Sequence, residues 1–177
     1  MYATLVLGVV FMVFVMGSVE VRTTAVVARQ RSAVWRRALD VERWERMSDA
    51  FAVSCDACGG GLRVGALLHI TSSWSDGTSD VAVERVTVVE PERRLCWDFE
   101  RVPGGPYIPD LLLRTDRCIL LEDGADGRTT RVTNYVRFSG PIGLPVGVAR
   151  GGLIREAFGR WNEGLRRRCE RFSLFGM

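Results

Sequence analysis

The chain predicts an α+β domain, a curved antiparallel sheet of about seven strands wrapped on one long C-terminal helix, with two short helices after the first strand. Three observations predict it. Between Gly151 and Phe172 the residues Ile154, Phe158, Trp161, Leu165, Cys169 and Phe172 recur at the three- and four-residue spacing of a single helical face. Upstream, short runs alternate apolar with polar residues and are separated by turn signals at hairpin spacing. Between the first of these runs and the rest lies a stretch with helical spacing around Trp35 and Trp44. A long helix with one broad apolar stripe needs an equally broad partner, and a sheet supplies it.

The elements follow in order. Val19 to Ala28 alternates as a half-buried strand. Ser32 caps a short helix carrying Val34, Trp35 and Leu39, and Val41 to Met47 continues as a second piece with Trp44. Strands are expected at Ala50 to Asp56, Arg63 to Ser73, Asp80 to Glu90, Arg94 to Arg101, Leu112 to Leu121 and Thr129 to Ser139. Asp76-Gly77, Pro91, Pro103 to Pro106 and Gly124 to Gly127 mark turns between them. On the outer face of the last helix, Glu156 with Arg160 and Glu163 with Arg167 are four-residue pairs in the favourable order, each worth about 0.3 kcal/mol. Arg166, Arg167, Arg168 and Arg171 oppose the negative end of its dipole.

A length of 177 residues, 47% hydrophobic and 25% charged, suits one globular domain with a real core. Residues 18–173 are read as that domain, 174–177 as a tail, and 1–17 as a separate apolar segment. Residues 2–16 carry no charge but fall short of the ~20 residues a spanning helix needs. They read as a membrane anchor, as a signal cut after Gly17, or as an upstream extension, since Met16 is itself a plausible start. Location follows that choice: membrane-associated or exported in the first two cases, cytoplasmic in the third. All 24 basic residues are arginine, intermixed with 21 acidic ones, so a net charge of +3 leaves no footprint for nucleic acid. Five cysteines are an odd number. Cys96, Cys118 and Cys169 sit within apolar patterns and read as buried free thiols rather than a disulfide framework.

In this order, several segments resemble one family. They are Ser32 to Trp35 with Leu39-Asp40 and Trp44, then Leu62 to Gly65, Val89 to Trp97, Gly127 to Thr133, Phe138 to Gly140 and Phe158 to Leu165. Over roughly Val19 to Phe172 the chain resembles the START-like helix-grip superfamily (SRPBCC), with its polyketide cyclase/dehydrase and pollen-allergen branches. That resemblance implies a sheet gripping the long helix with an apolar ligand cavity between them. It implies no single reaction, because fold does not fix function.

Strand phase nominates the cavity wall. Leu95, Trp97 and Phe99 face inward, which turns Cys96, Asp98 and Glu100 to solvent. Asn134, Val136 and Phe138 face inward on the last strand, opposite Phe158, Trp161 and Leu165 of the helix, with a space of about 300–1,000 Å³ expected between. Tyr107, in the loop Pro103 to Pro109, is placed over one entrance. Asn134, polar on an apolar face, bonds either a neighbour or a ligand. The strand bearing Arg114, Asp116 and Arg117 has no readable phase, and one of its arginines pointing inward would suit carbonyl polarisation in cyclase relatives. His69 faces outward, which disfavours a general base. Arg168 within the helix stripe either snorkels to the rim or meets an acidic ligand. Cys55 and Cys58 have half the spacing of a zinc site with no second pair, so no metal is expected. No cofactor is expected either: the nucleophile-elbow, zincin, P-loop and dinucleotide motifs are missing.

The leading reading is therefore a binding module for a small hydrophobic or amphipathic molecule. A cyclase, aromatase or dehydratase using the same cavity is the enzyme alternative. An interaction protein resembling the Hsp90-ATPase activator branch is the third. Convergent inward ionisable groups favour the enzyme, an apolar pocket favours binding, and a filled core favours the interaction protein. The sequence leaves the oligomeric state open.

Overall fold

The computed structural model of the protein describes residues 17–56, 58, 61–100 and 112–171. Seven antiparallel strands form one sheet: β1 Ser18–Val27, β2 Phe51–Asp56, β3 Leu67–Ser73, β4 Ser79–Glu90, β5 Arg94–Phe99, β6 Arg114–Asp123 and β7 Thr130–Ser139. Their spatial order is β1-β7-β6-β5-β4-β3-β2. Every step is a hairpin neighbour except the first, where β1 closes on β7 after the whole meander has run. Helix α1, Arg31–Ala38, and a 3-10 helix, Val41–Arg46, fill the connection between β1 and β2. The long helix α2, Gly143–Arg171, lies across the sheet. This is the predicted α+β arrangement.

Three cross-strand rows position everything that follows. One inner row runs Val21, Val136, Arg117, Trp97, Val86, and the next runs Thr23, Asn134, Ile119, Leu95, Val89. Between them, on the outer face, lie Arg22, Tyr135, Cys118, Cys96 and Val88. In β4 a bulge separates Val86 from Val88, so that the two valines, two residues apart, point to opposite faces.

Several boundaries differ from expectation. Ser32 is not the cap of α1; Gln30, in extended backbone, precedes the helix without a side-chain cap bond. β3 starts at Leu67 rather than Arg63, because Gly65 takes a left-handed φ of 89° and turns the chain. The largest difference is α2, which begins at Gly143, eight residues before the expected start, and spans 29 residues. Pro145 sits in the first turn, where its missing N–H costs no helical bond. Gly147 is a contact point rather than a break. A Cβ there would fall 2.0 Å from Val19 Cγ1 and 3.2 Å from Phe138 Cβ, so the bare backbone lets α2 rest on β1 and β7.

Two cysteine assignments are corrected. Cys96 and Cys118 are not free thiols but a disulfide between β5 and β6, with Cα atoms 4.2 Å apart. Cys96 does lie on the outer face, yet it is buried rather than solvent-facing, because its bonded partner and their neighbours cover it. Cys55 and Cys58 form a second disulfide. Cys169 is free and buried as expected. Asp116 approaches the Cys96–Cys118 sulfurs, but bonded sulfurs offer no thiolate to a metal. Among the described residues no helix is long and apolar enough to cross a membrane; the apolar run 2–16 lies outside them.

Candidate functional site

The inner rows and α2 enclose a small chamber beneath the middle of the sheet. Trp44, Phe51, Ile70, Ile119 and Phe158 give it apolar walls, and Trp97, Arg117, Asn134 and Trp161, each of which carries a polar group, complete the lining. Trp44 is held by its own N–H, which donates to Ala38 O at 3.0 Å. Its ring stands 5.5 Å from Trp97 and 5.3 Å from Trp161, edge-on to the latter. Phe51 and Phe158 meet at 6.1 Å. This packing is close to complete. The chamber measures about 10 Å³, room for roughly one water molecule. Among the described residues the space at this chamber falls short of the several hundred Å³ expected: three indoles and two phenyl rings occupy it.

Of the residues nominated from the sequence, Trp97, Asn134, Phe158 and Trp161 line the chamber. Val136, Phe138 and Leu165 are buried in the surrounding core but do not border it. Phe99 is corrected. It shares the inner face with Trp97, but the strand ends there and its ring is 47% exposed. Tyr107 lies outside the described residues.

The polar content of the site exceeds what sequence phase revealed. Asn134 Nδ2 donates to Asn162 Oδ1 at 2.6 Å, and Asn162 Nδ2 donates to Thr23 Oγ1 at 3.1 Å. Asn134 thus has a protein partner across the helix–sheet interface, and Asn162 was not anticipated. The strand with the unreadable phase resolves with Thr115, Arg117, Ile119 and Leu121 inward. Arg117 is the inward arginine. Its Nη1 lies 3.2 Å from a carboxylate oxygen of Glu84, a residue the sequence reading passed over. The side chains are 12% and 3% exposed, so this is a buried ion pair. The signal for Glu84 was its place between Ala82 and Val86, two residues either side on the inward phase of β4. The Trp161 indole N–H is buried with no hydrogen-bond partner. Trp97 Nε1 also lacks a bond of ordinary geometry, although it lies on the Glu84 side and favours that group's anion.

His69 is outward, 2.9 Å from Asp56, and Arg168 reaches the rim, donating to Arg43 O at 3.4 Å. Both stand apart from the chamber.

Burial pushes the Glu84 carboxyl above its ordinary 4.5, while Arg117 pulls the other way. A folded carboxyl that holds its proton longer than the unfolded one favours the fold most below 4.5 and less as pH rises through its folded value. Glu20, Asp76, Asp126 and Glu163 are shifted down, and their contributions are lost only as pH falls. The window above 4.5 thus belongs to Glu84 among the shifted carboxylates. In urea titrations, wild type should lose stability between pH 4.5 and neutrality relative to Glu84→Gln. Parallel curves would mean that Arg117 keeps Glu84 ionised throughout.

With this geometry in hand, the solved structures similar to the chain are informative. A protein from Thermus thermophilus superposes with a TM-score of 0.65 over 88% of this chain and 99% of its own, at 16% identity. A START superfamily protein from Mycobacterium smegmatis gives 0.63 over 86% of this chain and 98% of its own, at 13% identity. The fold is START-like. The di-domain ARO/CYC BexL from the BE-7585A biosynthetic pathway gives 0.62 over 95% of this chain and 55% of BexL, at 12% identity. START-like architecture thus accounts for the sheet gripping α2 and for the chamber's position between them, and at these identities it accounts for the fold alone. No protein-family model and no curated protein sequence matches the chain.

Proposed function

We propose that this START-like domain binds a small, flat, largely apolar molecule carrying an oxygen acceptor, held between the sheet and α2. One observation carries the reading. Arg117, paired with Glu84, and Trp161, whose buried indole N–H has no partner, both line one aromatic chamber. Buried donors without partners are uncommon, and a ligand oxygen would satisfy them. The ARO/CYC name of one structural neighbour fits a cyclic, oxygenated ligand. Because the chamber admits only about one water, binding requires the rings of Trp44, Phe51 and Phe158 to turn aside.

A second reading rests on the buried pair. Arg117 would polarise a carbonyl, and Glu84, whose carboxyl burial pushes up, would take up a proton from the substrate and return it, the chemistry of a cyclase or dehydratase. The third, an interaction protein, draws on the nearly filled core.

Anilinonaphthalene sulfonate titration tests the first reading, with the tryptophans Trp44, Trp97 and Trp161 as internal reporters. Saturable quenching of their emission is expected in wild type. Binding should weaken about tenfold in the double variant Glu84→Gln/Arg117→Met, which removes the charge pair together rather than stranding one partner. No quenching in wild type, at concentrations where a START-like binder saturates, would favour the interaction protein.

A further inference from the structure

We propose that a second cavity, between α1 and the C-terminal end of α2, is a binding site for a phosphate monoester. The cavity measures about 420 Å³ and is lined by Arg29, Ala33, Arg36, Arg37 and the edge of Cys169. It is independent of the chamber beneath the sheet and of the function assigned there.

Its construction follows from the local sequence. Ala33, Arg36 and Arg37 stand three and four residues apart on one face of α1, where the small Ala33 side chain leaves a hollow that the arginines flank. Arg29 enters from the loop after β1. Its Nε donates to Cys169 O at 3.0 Å and Nη2 to Glu170 O at 3.3 Å, so it satisfies end carbonyls of α2 and blunts the negative pole there. Three guanidinium groups thus border one hollow, and among the described residues no carboxylate lines it.

The charges around it are otherwise committed. Glu170 accepts from Ala28 N at 3.0 Å and pairs with Arg166 at 2.9 Å. Asp123 pairs with Arg31 at 3.2 Å. Neither Arg29 nor Arg36 has a carboxylate partner among the described residues. Burial pushes the Cys169 thiol up to about 11 against the pull of Arg37 and Arg29, so at neutral pH it adds no negative charge to the cavity. Guanidinium forks match the oxygens of a phosphate dianion two at a time. A volume of this size is also that of a small-molecule pocket rather than of a bare ion. The chemistry therefore points to an organic phosphate, which a soluble metabolite or a lipid headgroup could carry.

The experiment is calorimetric titration of the full chain with glycerol phosphate, with glycerol as the uncharged comparison, at low and physiological salt. Vesicle sedimentation runs beside it, with phosphatidylcholine alone and with added phosphatidic acid. Arg36 is exposed and Arg36→Gln leaves the core intact; Arg155→Gln, on the exposed face of α2 more than three turns away, is the control. Glycerol phosphate should bind and glycerol should not. Arg36→Gln and Arg37→Gln should each lose about tenfold in affinity, Arg155→Gln should lose nothing, and added salt should weaken binding. Sedimentation with phosphatidic acid that Arg36→Gln abolishes assigns the lipid source; soluble binding alone assigns the metabolite. Equal heats for glycerol and its phosphate with no vesicle difference, or an equal loss in Arg155→Gln, overturns the site.

Discussion

Gly164→Ala is expected to abolish the native fold. Gly164 faces the backbone just after the 3-10 helix, and a Cβ there would lie 1.7 Å from Met47 O and 2.4 Å from Met47 C. No rotamer change relieves that overlap, because both partners are main chain. Overpacking that flexible side chains absorb costs about 1–3 kcal/mol, and a backbone-to-backbone clash belongs above that range, at more than about 4 kcal/mol. Gly152 and Gly159 form the contrast. They lie in the same helix with nothing within 4 Å of a built Cβ, so alanine there should raise stability by about 0.5–1 kcal/mol. Far-ultraviolet circular dichroism in urea, on the three variants in parallel, separates the cases. A folded Gly164→Ala with an unchanged midpoint would mean that α2 does not sit on Met47.

Trp161→Ala is expected to show the full penalty of a core truncation, about 3–5 kcal/mol. A ring at the wall of the wide cavity expected from the sequence would lose less. Trp161 is instead 2% exposed and packs edge-on against Trp44 at 5.3 Å. Removing it leaves a void bordered by the rings of Trp44 and Phe158, and such a void costs energy in proportion to its volume. The same void spares the apolar probe the ring movement that binding to wild type requires, so anilinonaphthalene sulfonate uptake should rise as the denaturant midpoint falls. A loss under about 1 kcal/mol would show that neighbouring rings collapse into the gap.

The fold was legible because its elements are long and strongly periodic. The α2 stripe from Ile154 to Cys169 and the alternation of β7 each have one reading. What escaped notice depends on three-dimensional register. Glu84 stayed hidden because the bulge at Thr87 breaks the alternation of β4, so that Val86 and Val89, both inward, stand three residues apart and give contradictory phases. The inward face of β6 was ambiguous because apolar residues occupy both phases, and only pairing with Trp97 and Val136 settles Arg117. The Cys96–Cys118 bond depends on the same register, which spacing along the chain does not fix. The first two turns of α2 were missed for a different reason. Glycine and proline there resemble a linker, yet they serve close approach to Val19 and a first-turn position where proline is harmless.

The bond between Cys96 and Cys118 also sets the topology of the covalent molecule. It closes a ring of main chain containing everything between β5 and β6. A protease that cuts once anywhere inside that ring opens it without releasing a fragment, and the product migrates as one species on a non-reducing gel. Only a reductant separates the two pieces, one ending with β1 to β5 and the other starting ahead of β6. New chain termini introduced inside the ring would likewise leave β5 and β6 tethered, which makes this the natural place to divide the protein into two covalently linked halves.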